Sequence, residues 1–215
     1  MTKRLTKLID KIKVKTLAMA QDVCNSMDDA MEAILNSSDD KYQAMKQRED
    51  NIDSLEVEIE ESILGTIAVH QPVADDLRIL AAMLKITNDL ERIGDYAIKI
   101  AQRGKDIDAN LIKSIKTPLS KLGTSSIQMI KDAVQALDAG DADLAQKVRD
   151  ADDQVDDLNK SLIKELSKID DDDFESLVAL VSISRRFERA ADHATNIAED
   201  VLFWLEGRIF RHGET

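Results

Sequence analysis

The chain reads as an all-α protein: two tandem three-helix up-down bundles, six helices related by an internal repeat. Three observations predict this. Only 7 Gly and 2 Pro interrupt 215 residues, and aromatics make up 3%, a composition of long helices rather than sheet. Apolar residues recur at three- and four-residue spacing, as on the buried stripe of a helix. The string Asn88-Asp89-Leu90-Glu91-Arg92-Ile93-Gly94-Asp95-Tyr96-Ala97-Ile98-Lys99-Ile100-Ala101 also returns in close copy as Arg185-Arg186-Phe187-Glu188-Arg189-Ala190-Ala191-Asp192-His193-Ala194-Thr195-Asn196-Ile197-Ala198, an offset of 97 residues from Glu91 to Glu188. A repeat of that length means one three-helix unit used twice, which divides the chain into residues 1–104 and 105–215.

The first helix runs from Leu5 to about Leu35, because Leu5, Ile9, Ile12, Leu17, Ala20, Cys24, Met27, Met31 and Ile34 keep the helical spacing, and Asn36-Ser37-Ser38 ends it. Ser38-Asp39 signals the next N-terminus. Tyr42, Met45, Ile52, Leu55, Ile59 and Ile63 carry the second helix to about Ala68, with Glu49 interrupting its stripe. His70-Gln71-Pro72 breaks the chain, since proline lacks a donor and restricts the residue before it. Asp75 and Asp76 suit the positive end of a third helix, which runs to about Arg103. The fourth helix is centred on Leu119 to Leu137. Its pattern reaches back to Leu111, so Thr117-Pro118 is either a kink or a start, and the preference of proline for a first helical turn favours the start. Ala139-Gly140-Asp141 turns the chain into a fifth helix, Ala142 to Ile169. The run Asp170 to Asp173, read as a solvated cap, leads into a sixth, Phe174 to about Gly207. Connections this short make antiparallel neighbours.

Charge narrows the function. A formal net charge of −13 argues against nucleic acid, whose phosphates are held by Lys and Arg, and suits cations or a basic protein partner. The single cysteine, Cys24, lies on an apolar stripe and makes no internal disulfide. No apolar run approaches the roughly 20 residues that span a bilayer, and the N-terminus lacks the apolar core of a cleavable signal, so cytoplasm is the expected compartment.

Four acidic pairs at a four-residue spacing concentrate the chemistry: Glu49 with Asp53, Glu91 with Asp95, Asp152 with Asp156, and Glu188 with Asp192. On a helix that spacing stacks two carboxylates on one face, where they repel unless a positive charge joins them. Apolar neighbours place the pairs on core-side positions, where unpaired carboxylates do not all stay ionised. In an antiparallel hairpin, residues equidistant from the turn share one height. The first two pairs are equidistant from Pro72, and the second two from Asp172, so each half brings four carboxylates to one level. Such an oxygen-rich cluster suits iron, manganese, magnesium, calcium or zinc. The alternative is a set of internal salt bridges to Arg48, Arg92, Arg149 and Arg189.

The strings Asp89-Leu90-Glu91-Arg92-Ile93-Gly94-Asp95 and Glu188-Arg189-Ala190-Ala191-Asp192-His193-Ala194-Thr195-Asn196-Ile197-Ala198-Glu199 resemble the two signature repeats of the PhoU family, and the likeness extends to the helix count, the Gln71-Pro72 turn and the distal Arg211-His212. The resemblance implies a pair of three-helix bundles and metal binding through Glu49, Asp53, Glu91, Asp95, Asp152, Asp156, Glu188 and Asp192. Asn88, Arg92, Arg189 and His193 stand beside these ligands as supporting residues. It also implies a cytoplasmic homodimer that represses the phosphate-starvation response, with the ATPase of the phosphate ABC transporter and a sensor histidine kinase as partners, and reaches the membrane only through the transporter. The chain departs from the family pattern at Tyr96, where a His is frequent, and at Ala190-Ala191, which replace Ile-Gly. Its second copy also carries Arg185-Arg186 where the first has Asn88-Asp89.

Two further function classes compete with a non-catalytic metal-binding regulator. A di-iron carboxylate enzyme uses Glu-x-x-His pairs, but the residues three after Glu91 and Glu188 are Gly94 and Ala191. A purely structural helical scaffold would hold no metal. Phe203-Trp204-Leu205 is read as the packing end of the last helix, and His70 and His212 carry no recognisable spacing.

Overall fold

The computed structural model describes residues 3–36, 40–105, 107–169 and 173–208. Among them every regular element is a helix. The first bundle holds α1 (Lys3–Asn36), α2 (Asp40–His70) and α3 (Asp75–Gly104). The second holds α4 (Ala109–Ala139), α5 (Ala142–Asp150), α6 (Asp152–Leu166) and α7 (Phe174–Glu206). The Ser38-Asp39 start signal, most of the run from Asp170, and Arg211-His212 lie outside the described residues.

The fifth helix expected from sequence is broken at Ala151 into α5 and α6. Its amide reaches both the Lys147 and Val148 carbonyls, at 3.1 and 3.2 Å, so one tight turn interrupts the regular ladder without reversing the chain. The first helix of the second bundle corrects another expectation. It starts not at Pro118 but at Ala109, where the Asp108 side chain accepts the amides of Asn110 and Leu111 at 2.8 and 3.2 Å. Pro118 sits inside α4. An interior proline costs about 3 kcal/mol, whereas burying Leu111, Ile112 and Ile115 returns about 1.5–3 kcal/mol each, and all three are buried. The apolar stripe therefore carries the helix through the proline.

Caps end the other helices where the turn residues stand. Gly140 (φ 63) and Gly207 (φ 72) close α4 and α7 in the left-handed conformation that glycine adopts freely. Asp141 caps α5 through the Leu144 amide at 3.0 Å, and Asp173 caps α7 through the Ser176 amide at 3.0 Å. The Pro72 turn is held by Gln71 (φ 45) and Ala74 (φ 50), positive values unusual for residues with a Cβ.

α3 packs along α7, and α1 along α4, so the two bundles share one wall. The central pair is antiparallel: Arg78 Nε donates to the Trp204 carbonyl at 3.4 Å, Lys85 meets Asp200 at 2.6 Å, and His193 meets Asp89 at 2.6 Å. Tyr96 and His193, which the repeat makes equivalent, touch each other with ring centroids 5.6 Å apart. The pseudo-twofold axis of the repeat thus passes between them. Gly123 shows how tightly the bundles meet, because a Cβ there would lie 2.7 Å from Met31 Sδ of α1 and 3.3 Å from Phe187 Cζ of α7. Trp204 closes the end of α7 over Gly140, with the Lys13 ammonium 5.6 Å from its ring centroid.

Phe187 heads the fully buried side chains, at 0% exposure. Phe187→Ala should destabilise the protein by about 3–5 kcal/mol, the cost of an aromatic-sized core cavity, read as a lower denaturant midpoint with helical signal retained in water.

Candidate functional site

α2 is a largely polar helix that buries little beyond Met45, Ile52, Ile59 and Ile63 against α1 and α3. Its acids stand on the shoulders of that seam. Glu49 is half-buried and Asp53 is exposed, while Glu91 and Asp95 are half-buried on α3. In the second bundle Asp152, Asp156 and Glu188 are half-buried and Asp192 is exposed. The expectation of core-side carboxylates is corrected here: the helices occlude only the narrow apolar seam, and the acidic positions beside it keep an edge in water.

The acids of each hairpin nevertheless act on one another across the two helices. Glu49 binds its proton more tightly than usual because of burial, then Asp53 and Asp95. Asp53 is raised by burial and then Asp95, and Glu91 by burial and then Asp95, with Glu56 and Asp53 adding to it. In the second hairpin burial raises Asp152, which accepts a hydrogen bond from Thr195 Oγ1 at 3.1 Å, and Asp156 adds to the shift. Glu188 is raised by burial and then Asp156. Asp192 moves furthest, to about 6, through burial and then Glu188, Asp152 and Asp156. The residue is exposed, yet protein fills part of its surroundings and three other acids stand near, and both favour the protonated form.

Glu56 is a fifth acid of the first hairpin that the four-residue spacing does not find. It lies one turn beyond Asp53 and has its proton affinity raised by burial first, with Asn88 opposing the rise and Asp53 and Glu60 adding to it. A three-residue spacing, equally compatible with one helix face, would have located it. The corresponding α6 position is Asn159, buried with its Oδ1 lacking a hydrogen-bond partner among the described residues.

Positive charge in the site is local. Lys99 Nζ lies 2.6 Å from Asp95, Arg92 Nε lies 3.5 Å from Glu91, and Lys160 Nζ lies 3.6 Å from Asp156. The proposed network of arginines is met at Arg92. Arg48 pairs instead with Asp29 at 3.1 Å, and Arg149 with Glu199 at 3.4 Å. Arg189 lowers the Glu188 shift by its charge. His193 turns away from the carboxylates toward Asp89 and Tyr96 and ties α7 to α3. Gly94 gives α2 room, a Cβ there falling 3.2 Å from Ile52 Cδ1, whereas Ala191 at the equivalent place is buried with its methyl.

As a donor set the carboxylates fit a hard cation, being all oxygen and in excess of their neutralising ammonium groups. Among the described residues no three His, Cys, Asp or Glu side chains close into a coordination shell as they stand. Holding an ion requires rotamer changes of exposed or half-buried side chains.

Fold and site together define a class of paired three-helix bundles whose central hairpins each present a band of acidic side chains. Residues 16–104 and 119–201 match the PhoU domain, and the chain belongs to the PhoU family. It is 28% identical over 207 residues to the phosphate-specific transport system accessory protein PhoU of Escherichia coli (strain K12), covering 95% of this chain and 86% of that protein. A PhoU homologue of Clostridium acetobutylicum is 30% identical over 204 residues, 93% of each chain. The crystal structure of PhoU from Pseudomonas aeruginosa matches with a TM-score of 0.87 at 29% identity over 94% of this chain and 99% of that one.

The Asp192 shift sets a pH dependence. Its folded pKa, about 6, stands above the ordinary aspartate value of 3.8, so its contribution to stability is fully present below about 3.8 and lost as pH rises through about 6. In chelator, Asp192→Asn should therefore melt at a higher temperature than the parent at pH 7.5, and the gain should vanish at pH 3.5.

Proposed function

We propose that this protein is a metal-binding regulator of phosphate uptake, a negative regulator of the phosphate-starvation response that works through protein contacts rather than turnover. The observation that carries the metal reading is that the acids of each hairpin raise one another's proton affinity across two helices. That surplus of negative charge is what a bound cation would relieve. Glu49, Asp53, Glu91 and Asp95 would hold one ion or cluster, with Glu56 beside them, and Asp152, Asp156, Glu188 and Asp192 another. The all-oxygen set favours iron, manganese or magnesium, with zinc as a further candidate.

The transport reading is supported by the relatives, which are named accessory proteins of the phosphate-specific transport system. Carried over from the family resemblance, the partners are the transporter's ATPase and a sensor histidine kinase, and the working form is a cytoplasmic homodimer. No helix among the described residues is long and apolar enough to cross a membrane, which fits a chain that reaches the bilayer through the transporter.

Three measurements test this. Elemental analysis should show metal lost from the first hairpin after Glu91→Gln with Asp95→Asn while helicity is retained; unchanged metal content per chain would sink the assignment. Mn²⁺ at a hundredfold excess over Kd should stabilise the chelator-treated protein by about 2.7 kcal/mol. That shift should be larger at pH 7.5 than at pH 5, because at pH 5 protons hold the raised carboxylates. Deleting the gene should raise phosphate-starvation reporter expression in phosphate-rich medium, and an unaltered reporter with the transporter present counts against the regulatory role.

A further inference from the structure

The outer faces of α1 and α2 carry opposite charge, and each leaves apolar side chains in water. On α1, Lys7, Lys11, Val14 and Ala18 recur at three- and four-residue spacing on the side away from the buried Leu5, Ile9 and Ile12. All four are exposed, Val14 at 66%. Six of residues 3–15 are Lys or Arg and only Asp10 is acidic, in a chain of formal net charge −13. No acid stands in the first turn, and cations this near a helix N-terminus oppose its dipole, so the charges do not serve the helix itself. Lys13 and Lys15 are used within the chain, on the Asp138 carbonyl at 2.8 Å and on Glu58 at 2.5 Å. Among the described residues Lys7 and Lys11 have no ion-pair partner.

On α2 the matching stripe is Val57, Glu61, Leu64 and Ala68, opposite the buried Ile59 and Ile63 and flanked by the exposed Glu60. Val57 is 56% exposed and Leu64 50%. Gly65 lies on the same face, where an added Cβ would meet nothing within 4 Å. Glycine inside a helix is less stable than alanine, and no neighbour in this chain comes close enough to require it. A bare backbone there lets a second helix pack against α2 at short range.

We propose that this face joins two copies of the chain, α1 of each lying along α2 of the other; the inference rests on the homodimer reading above. Within one chain the two helices are antiparallel neighbours, with Lys15 level with Glu58 and Asp22 level with Asn51, whose Nδ2 is 2.6 Å from the Asp22 carboxylate. A two-fold axis running along the helices lays α1 on the partner's α2 and repeats the contact reciprocally. Equal rise then brings Lys11 beside Glu61, Val14 between Val57 and Glu61, and Lys7 beside Gly65. Pairing α2 with α2 sets acid against acid, and pairing α1 with α1 sets lysine against lysine. The crossed arrangement is the one that charge permits.

Sedimentation of the full chain in chelator, which keeps the metal sites out of the measurement, should show a dimer. Lys7→Glu with Lys11→Glu should weaken self-association by at least about a hundredfold, and so should Glu60→Lys with Glu61→Lys. The two variants mixed should pair with each other at close to parental affinity, because the mixed dimer restores opposite charge at both contacts. Misfolding would not be rescued by mixing. Gly65→Gln has room in the single chain and improves helix propensity, so it should melt no lower than the parent at monomeric dilution and yet weaken the dimer by at least about tenfold. A parent that stays monomeric at every concentration removes the homodimer reading and this surface with it. A parental dimer whose affinity survives both charge reversals, or reversed variants that do not pair on mixing, overturns the surface alone. Should a reversed variant fail to fold, Gly65→Gln decides, and unchanged affinity there overturns the proposal.

Discussion

The close antiparallel contact of α3 with α7 is the constraint on which the rest of the molecule depends. Each of these helices belongs to a different bundle, yet α3 packs on α1, α2 and α7, and α7 on α3, α4, α5 and α6. Their buried residues include many small ones, Ala82, Ala97 and Ala101 on α3 and Ala179, Ala190, Ala194 and Ala198 on α7. Small side chains let helix axes approach toward the short end of the usual 8–10 Å. The outer helices then lean on this pair, and their polar faces remain in water.

That arrangement explains why the acids sit where they do. A helix that touches its bundle along one narrow stripe has shoulders that are neither core nor open surface. Carboxylates on such shoulders lose part of their hydration but are not sealed off, so their pKa values rise without the prohibitive cost of full burial. Two hairpins built this way hold a reserve of unfavourable charge at the surface, accessible to a cation. Because the unfavourable term grows with ionisation, occupancy by a cation and stability become linked through pH.

The two halves share a backbone plan without sharing a charge plan. Glu56 gives the first hairpin a fifth acid, while the corresponding α6 residue is the buried amide Asn159. The repeat puts Arg186 and Arg103 at the positions equivalent to Asp89 and Asp200, which pair with His193 and Lys85. Duplication fixes where side chains leave the helices, and subsequent substitution decides what those places bind. The equivalence of Tyr96 and His193, in contact at the axis, makes this comparison position by position rather than approximate.

Much of this was legible in the chain alone. Helical periodicity and the scarcity of glycine and proline determined an all-α fold, the repeat determined two related bundles, and Gln71-Pro72 marked the turn between α2 and α3. These are local or one-dimensional properties, set by side-chain spacing and by the rise of a helix. Tertiary structure decided what depends on neighbours distant in sequence. The run of α4 through Pro118 was settled by burial of Leu111, Ile112 and Ile115, the half-exposure of the acids by how little of α2 is covered, and the arrival of His193 at Asp89 by the approach of α7 to α3. No spacing within one helix reports the charge on the helix that packs against it, so the pairing of Lys85 with Asp200 and of His193 with Asp89 appears only once the chain is folded.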